Sequence, residues 1–294
     1  MSRTPRSAVS GSGARRAAVL GKPVAHSLSP VLHLAAYRAL GLNDWTYERL
    51  EADAEQLREL VGGFGAEWVG VSVTMPGKHA ALEFATESTA RAQAVGAANT
   101  LVNLGEGRWR ADCTDVDGVA GAVLAVCGKP PTDRPAVVLG AGGTASAAAV
   151  ACAELGLSAV RFVVREPARA ASAVAAAQRV NLSVEVARWA EVDWGEVAAE
   201  ASVLVNTTPP DAVRPHARQL ADAARVLDVI YHPWPTPLAE AVLTAGGQLA
   251  TGLDMLLHQA FGQVEQFTGR PAPREEMRAA LREATGGVHE LPLG

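Results

Sequence analysis

The sequence predicts an α/β protein of two domains, and three observations carry that prediction. Short β-branched or apolar runs alternate with longer Ala-rich stretches along most of the chain. One run, Ala136–Leu139, leads straight into a glycine cluster and then an alanine-rich segment. Past the last run, apolar residues recur at helical spacing instead. Alternation of this kind marks βαβ units with largely parallel sheets, because parallel strands need a crossover that is usually a helix.

Taken in order, residues 1–16 (MSRTPRSAVSGSGARR) are rich in Ser and Arg and have no apolar stretch. That excludes a secretory signal and reads as a disordered tail, with a transit peptide as the lesser alternative. Ala17–Leu20 is the first strand. Ser29 then reads as an N-cap and Pro30 as the first residue of a helix to Leu40, which Gly41 stops. Val69–Val73 is a further strand, and Gly128–Pro135 (GKPPTDRP) reads as an exposed loop near a domain seam. Strands follow at Ala136–Leu139, Ala159–Val164, Val203–Asn206 and Val226–Val229. A helix over Leu253–Phe267 carries Leu253, Leu256, Leu257, Ala260, Phe261 and Val264 on one stripe. Pro271 and Pro273 break it before a last helix over Arg274–Glu283. The first domain therefore spans residues 17–115 and the second 116–252.

Of 294 residues, 49% are hydrophobic and 19% charged, so the chain can fill a core and is not a disordered polymer. A formal net charge of −5 without a basic stripe argues against a nucleic-acid partner. No apolar run reaches the roughly 18–20 residues that span a bilayer. Cys113, Cys127 and Cys152 are far apart, with neither CxxC pairing nor metal-ligand spacing. A reduced, cytoplasmic protein without a bound metal is the expectation.

The glycine cluster is the most readable chemical motif. Gly140, Ala141, Gly142, Gly143, Thr144 and Ala145 lie between an apolar strand and an Ala-rich helix. Gly140 suits the tight turn, Gly142 lets backbone approach a pyrophosphate, and Ala145 permits close helix–strand packing. The helix N-terminus adds free N–H groups and a positive dipole end. This context points to a dinucleotide; a ligand-free tight turn is the bland alternative. The next strand ends at Val164 and is followed by Arg165-Glu166-Pro167-Ala168-Arg169. Two arginines there suit the 2′-phosphate of NADP, whereas Glu166 pointing inward would repel it. NADP is favoured over NAD.

The first domain holds scattered polar residues after its strands. Ser27 and Ser29 flank a helix start, where two hydroxyls make a plausible carboxylate seat. Lys78 follows the turn Thr74-Met75-Pro76-Gly77, a place from which it can point into a cleft, although a surface lysine is the commoner fate. Asn99 suits a hydroxyl-rich ligand, and Asp115 lies near the seam. His26 and His33 read as structural.

Together, in this order, GKPVAHSLSPVLH, GVSVTMPGK, VGAANTL, DCTDVDG, VLGAGGTA, LVNTTP, LDVIYHPWPTPL and GLDMLLHQAFGQVEQFTG resemble the shikimate dehydrogenase family over about Ala17 to Pro273. The resemblance implies an N-terminal substrate domain, a Rossmann-type NADP-binding domain, and C-terminal helices over 253–294 that return to the substrate side. It also implies reversible NADPH-dependent reduction of 3-dehydroshikimate to shikimate, on the route to chorismate and the aromatic amino acids. By that resemblance Ser27 and Ser29 hold the substrate carboxylate. Thr74, Lys78, Asn99, Asp115 and Gln259 line its hydroxyl side, and Tyr231 closes the site. Thr207, Gly252 and Met255 belong to the cofactor, the last two near the nicotinamide. The family usually has Asn where Ser72, Cys113 and Leu34 stand.

Ketone reduction needs a hydride to carbon and a proton to the developing alkoxide, and Lys78 is the candidate acid with Asp115 orienting it. Burial would lower the lysine pKa and Asp115 would raise it, a balance the sequence leaves open. Two other readings remain at this point, a quinate/shikimate dehydrogenase using NAD and a non-catalytic NADP sensor, the latter weakened by the presence of both Lys78 and Asp115. A folate-type or amino-acid dehydrogenase does not explain the paired serines or the HPWPTPL block. Monomer and homodimer are both compatible.

Overall fold

The structure is a computed structural model, and it describes residues 14–294. Of the tail predicted over residues 1–16, positions 1–13 lie outside the described residues. Arg15 and Arg16 correct its boundary, because they already belong to the first strand. Arg16 is held there by an ion pair to Glu48 at 2.9 Å and by stacking over the Trp68 ring.

The first sheet is built from β1 (Arg15–Gly21), β2 (Trp45–Glu51), β3 (Trp68–Val73), β4 (Glu87–Ser88), β5 (Thr100–Gly105) and β6 (Arg108–Asp112). Its helices are α1 (Ser29–Ala39), α2 (Ala54–Gly62), α3 (Lys78–Phe84) and α4 (Ala90–Val95). The strand order is β2-β1-β3-β5-β6-β4. β1 runs parallel to β2 and β3, while β5 is antiparallel to both β3 and β6. This sheet is thus mixed rather than largely parallel. The reason is the Gly105-Glu106-Gly107 turn, whose three residues all have positive φ. So short a connection can join only antiparallel strands.

α5 (Asp115–Cys127) then carries the chain across to a second sheet of β7 (Ala136–Leu139), β8 (Ala159–Val164), β9 (Ser183–Arg188), β10 (Val203–Asn206), β11 (Arg225–Asp228) and β12 (Gln248–Thr251). Between its strands lie α6 (Gly143–Glu154), α7 (Ala171–Arg179), α8 (Trp194–Glu200), α9 (Pro210–Val213), α10 (Ala217–Leu220) and α11 (Pro237–Thr244). The order β12-β11-β10-β7-β8-β9 is wholly parallel and reverses direction between β7 and β10. That is the doubly wound Rossmann arrangement, in which ligands bind beyond the carboxyl ends at the switch point.

The chain returns through α12 (Gly252–Thr268) and α13 (Arg274–Ala284). α12 starts in a capping box, Thr251 accepting from the Asp254 N–H and Asp254 from the Thr251 N–H. It packs on α5 and reaches β3 and β5, and α13 packs on α1. Contact between α12 and α5 is close: a Cβ placed on Gly121 would stand 2.4 Å from His258 Nδ1. Leu32 of α1 joins Leu257, Phe261 and Val264 of α12 and Leu281 of α13 in one buried cluster. The two helices therefore tie the far end of the chain to the first sheet.

Candidate active site

β3 ends at Val73, the chain turns through Thr74–Gly77, and Lys78 opens α3. Asp115 opens α5, and the Lys78 Nζ donates a hydrogen bond to its Oδ2. The two side chains are 16% and 3% exposed. Asn99 Nδ2 donates to Asp115 Oδ1 at 3.0 Å and to Gln259 Oε1 at 2.7 Å. The Asn99 Oδ1 accepts from the Thr114 backbone N–H at 2.8 Å. Both carboxylate oxygens of Asp115 are thereby held. Burial opposes the Lys78 charge most strongly, but Asp115 outweighs it and the lysine pKa lies above its ordinary value. The balance that the sequence left open falls on the side of the ammonium.

Around this pair lies a cavity of about 360 Å³ between the two sheets. Ser27, Ser29 and Thr74 line it beside Lys78, Asp115 and Gln259. Tyr231, Gly252 and Met255 close it from the side of the second sheet. Nine of the residues singled out in the sequence thus share one wall system. Asn99 is not on that wall: its side chain stands behind Asp115 and Gln259 and positions them. Cys113 is likewise buried off the wall, and burial pushes its thiol well above the ordinary range. Two lining residues, Ser72 and Gln263, belong to a polar cluster that sequence reasoning did not assemble. His26 lines the cavity as well, whereas His33 is fully buried.

The helix start at Ser29 differs from the sequence expectation. α1 begins at Ser29 with Leu28 in the N-cap place, in an α-region backbone, and Ser29 makes no capping bond. Instead the Ser27 Oγ accepts from the Ser29 N–H at 3.3 Å. Ser27 therefore takes the bond to the helix-start N–H, and both Ser27 and Ser29 line the cavity, with Ser29 beside the Tyr47 phenol.

A second hollow of about 290 Å³ opens at the carboxyl ends of β7, β8 and β10. Gly140, Ala141, Gly142, Arg165, Arg169 and Thr207 line it. Gly140 has φ +101°, and a Cβ there would meet the Thr207 Oγ1 at 2.6 Å. Thr207 donates to the Leu139 carbonyl at 2.7 Å, which fixes that side of the turn. Cβ positions on Gly142 and Gly143 would face open space, so backbone N–H groups at the start of α6 are accessible. Ala145 is fully buried in α6 and serves packing, not contact with a ligand. Arg165, Glu166 and Arg169 are exposed, and among the described residues none of them is in an ion pair. This cradle of free amides and two free guanidinium groups fits a phosphorylated dinucleotide. Sequence reasoning missed Trp189, the residue after β9, which forms another wall and rests against Trp194 and His216. Thr144, two residues beyond Gly142, lines the first cavity, so the two hollows adjoin at this turn.

No helix among the described residues is long and apolar enough to cross a membrane. Nor do those residues contain a group of three or more His, Cys, Asp and Glu side chains placed to hold a metal ion.

Two family models match the chain: the shikimate dehydrogenase substrate binding domain over residues 19–101, and the shikimate 5′-dehydrogenase C-terminal domain over residues 252–282. The shikimate dehydrogenase (NADP(+)) of Synechococcus sp. (strain JA-3-3Ab) is 39% identical over 90% of this chain and 92% of its own length. Mycobacterium tuberculosis shikimate dehydrogenase is 55% identical, with a TM-score of 0.86 over 92% of this chain and 99% of that one. The Thermus thermophilus shikimate 5-dehydrogenase, solved with NADP(H) and shikimate, is 33% identical with a TM-score of 0.75 over 92% and 99% of the two chains.

Proposed function

This chain belongs to the shikimate dehydrogenase family, and from that premise we propose the part each site residue plays. It is an NADP-dependent oxidoreductase that acts on a CH–OH group, and its reaction is the reversible reduction of 3-dehydroshikimate to shikimate. We assign residues 17–115 and 253–294 to the substrate domain and 116–252 to the cofactor domain. The observation that carries the reading is the Lys78–Asp115 pair beside the turn where the two hollows meet.

NADP fits the groove at Gly140–Thr144, with Arg165 and Arg169 for the 2′-phosphate and Gly252 and Met255 beside the nicotinamide, which when bound supplies or takes the hydride. Lys78 handles the proton. As an ammonium it donates to the carbonyl oxygen of the ketone and stabilises the charge that builds there. In the reverse direction the neutral amine takes the hydroxyl proton. Asp115 holds the Lys78 Nζ in place and has a lone pair for a neighbouring substrate hydroxyl. Gln259, Thr74 and, from behind, Asn99 fix the hydroxyl side; Ser27 and Ser29 face the carboxylate. A cytoplasmic location, as a monomer or homodimer, completes the reading and agrees with three buried free cysteines.

The direct test follows NADP⁺ reduction spectrophotometrically with shikimate. Wild-type protein is expected to turn over, and Lys78→Ala to lose about 10²–10⁴-fold in kcat, the usual worth of a general acid–base group. Folded, NADP-binding protein that gives no signal between neutral and alkaline pH would reject the substrate assignment.

A further inference from the structure

Tyr47 lies on β2 and is buried, outside the cavity, in a place the mechanism above does not use. Its hydroxyl is 2.7 Å from Ser72 Oγ, which is 2.9 Å from Gln263 Oε1. His33 Nε2 stands 3.2 Å from the same Gln263 oxygen, and the His33 ring stacks on Tyr47 with centroids 4.0 Å apart. The direction of every bond in this cluster follows from one fixed point. Gln263 has a nitrogen 3.4 Å from the Asn99 backbone carbonyl and 3.2 Å from Thr100 Oγ1. A carbonyl only accepts, so that atom is the amide NH₂ and the other is the acceptor Oε1. Ser72 must then donate to Gln263, which leaves its oxygen to accept from Tyr47. His33 must likewise donate from Nε2.

Ser72, Ser29 and Gln263 line the cavity, and Ser29 also stands beside the Tyr47 phenol. Gln263 has no bonding capacity to spare. Of Ser72 and Gln263, only Ser72 has a proton that can leave its present partner for a ligand that accepts without donating, beside the Ser29 hydroxyl. A carboxylate is such a group. Lys78, Asp115 and Gln259, which line the same cavity, offer donors and acceptors together, which suits hydroxyls. We propose that Tyr47 is a positioning residue for the substrate carboxylate: by donating to Ser72 it fixes that hydroxyl at the cavity wall and makes it a stronger donor. A hydroxyl that accepts one bond donates the next more strongly, and more so where water is excluded. The proposal rests on shikimate being the occupant of the cavity.

The test is calorimetric binding of shikimate and, separately, of NADP⁺ to Tyr47→Phe, Ser72→Ala and the double variant, with steady-state KM and kcat beside it. The loss of one hydrogen bond is expected to raise the shikimate Kd about five-fold in Tyr47→Phe. The NADP⁺ Kd is expected to stay at its wild-type value, and shikimate KM to rise by more than kcat falls. Because Tyr47 acts through Ser72, adding Tyr47→Phe to Ser72→Ala is expected to change the shikimate Kd by less than two-fold. Should Tyr47→Phe not fold, Ser72→Ala is expected to weaken shikimate binding and Ser72→Thr, which keeps a hydroxyl, to restore it. The proposal is overturned if Tyr47→Phe binds shikimate like the wild type, if its effect is as large without the Ser72 hydroxyl as with it, or if Ser72→Ala binds normally. Those results leave the substrate reading intact; wild-type protein that fails to bind shikimate defeats the reading itself.

Discussion

Lys78 Nζ and Asp115 Oδ2 are joined by a hydrogen bond although Lys78 opens α3 of the first sheet and Asp115 opens α5, the helix that leaves it. The carboxylate keeps the lysine protonated above its ordinary pKa against the pull of burial. In shikimate oxidation the reactive form is the neutral amine, so kcat/KM is expected to climb as pH rises through the Lys78 pKa. Asp115→Asn removes the charge that raises that pKa and leaves burial, which lowers it. The climb is therefore expected at lower pH in Asp115→Asn, with a reduced plateau. A pH–rate profile whose midpoint does not move in this variant would separate Asp115 from the lysine's protonation.

Much of the second sheet was legible because fully buried parallel strands read as unbroken apolar runs. AVVL, AVRFVV and VLVN coincide with β7, β8 and β10 to the residue. The first sheet was less so: β2 is WTYERLE, an edge strand with alternating polar residues, and only the Gly105-Glu106-Gly107 turn signals the antiparallel pair. The cofactor turn was readable because its chemistry is contiguous. The polar cluster under the substrate was not, since Ser72 and Gln263 are 191 residues apart and meet only when α12 returns to β3. Ser29 does not cap α1 because the helix begins one residue earlier than its Ser-Pro pattern suggests, with Leu28 in the cap place.

Arg165, Glu166 and Arg169 share the rim of the cofactor groove without ion-pair partners among the described residues, so their charges act directly on what binds there. Arg165→Ala and Arg169→Ala are each expected to raise KM for NADP⁺ about ten-fold, the scale of a hydrogen bond to a charged group. KM for NAD⁺, which has no 2′-phosphate, should change little. Glu166→Gln is expected to lower KM for NADP⁺ by removing a like charge. Equal effects on both cofactors would place these residues elsewhere than at the 2′-phosphate.

His33 bears on acid stability. Burial lowers its pKa from 6.5 to about 3, against a smaller opposing effect of the Gln263 hydrogen bond. The folded protein keeps it neutral while the unfolded chain protonates it, so between about pH 3 and 6.5 the unfolded state binds more protons. Stability is thus fully present above pH 6.5 and falls as pH drops. From pH 7.5 to 5.0 this one residue is expected to remove about 2 kcal/mol. Urea denaturation at the two pH values checks it: His33→Gln, whatever its stability at pH 7.5, should lose less on acidification than the wild type. An identical pH dependence in both would assign the acid sensitivity to other groups.

Arg91 ties the first sheet to the helices that leave it and return to it. From α4 it bonds both oxygens of Asp112 on β6, Nη2 to Oδ2 at 2.7 Å and Nε to Oδ1 at 3.2 Å, and reaches Asp117 of α5 at 2.6 Å. Gln266 of α12 donates to Asp112 Oδ2 at 2.7 Å, and the Thr89 hydroxyl donates to Asp112 Oδ1 at 2.6 Å. Four elements, including the helix that leaves the first sheet and the one that returns, therefore meet around the Arg91–Asp112 pair: α4 and α12 donate to the carboxylate on β6, and α5 accepts from the guanidinium. Burial alone would raise the Asp112 pKa, but Arg91 and Thr89 outweigh it and hold it below the ordinary range. Its stabilising contribution is thus present at neutral pH and lost as pH falls through that lowered pKa. Arg91→Met leaves Asp112, with 5% of its side chain exposed, without its cation. A buried charge stripped of its partner costs about 3–5 kcal/mol, whereas Asp112→Asn keeps a neutral hydrogen-bonding group and should cost less. Urea denaturation at pH 7.5 is expected to rank wild type above Asp112→Asn above Arg91→Met. An Arg91→Met protein within about 1 kcal/mol of the wild type would show the pair to be no stronger than an exposed one.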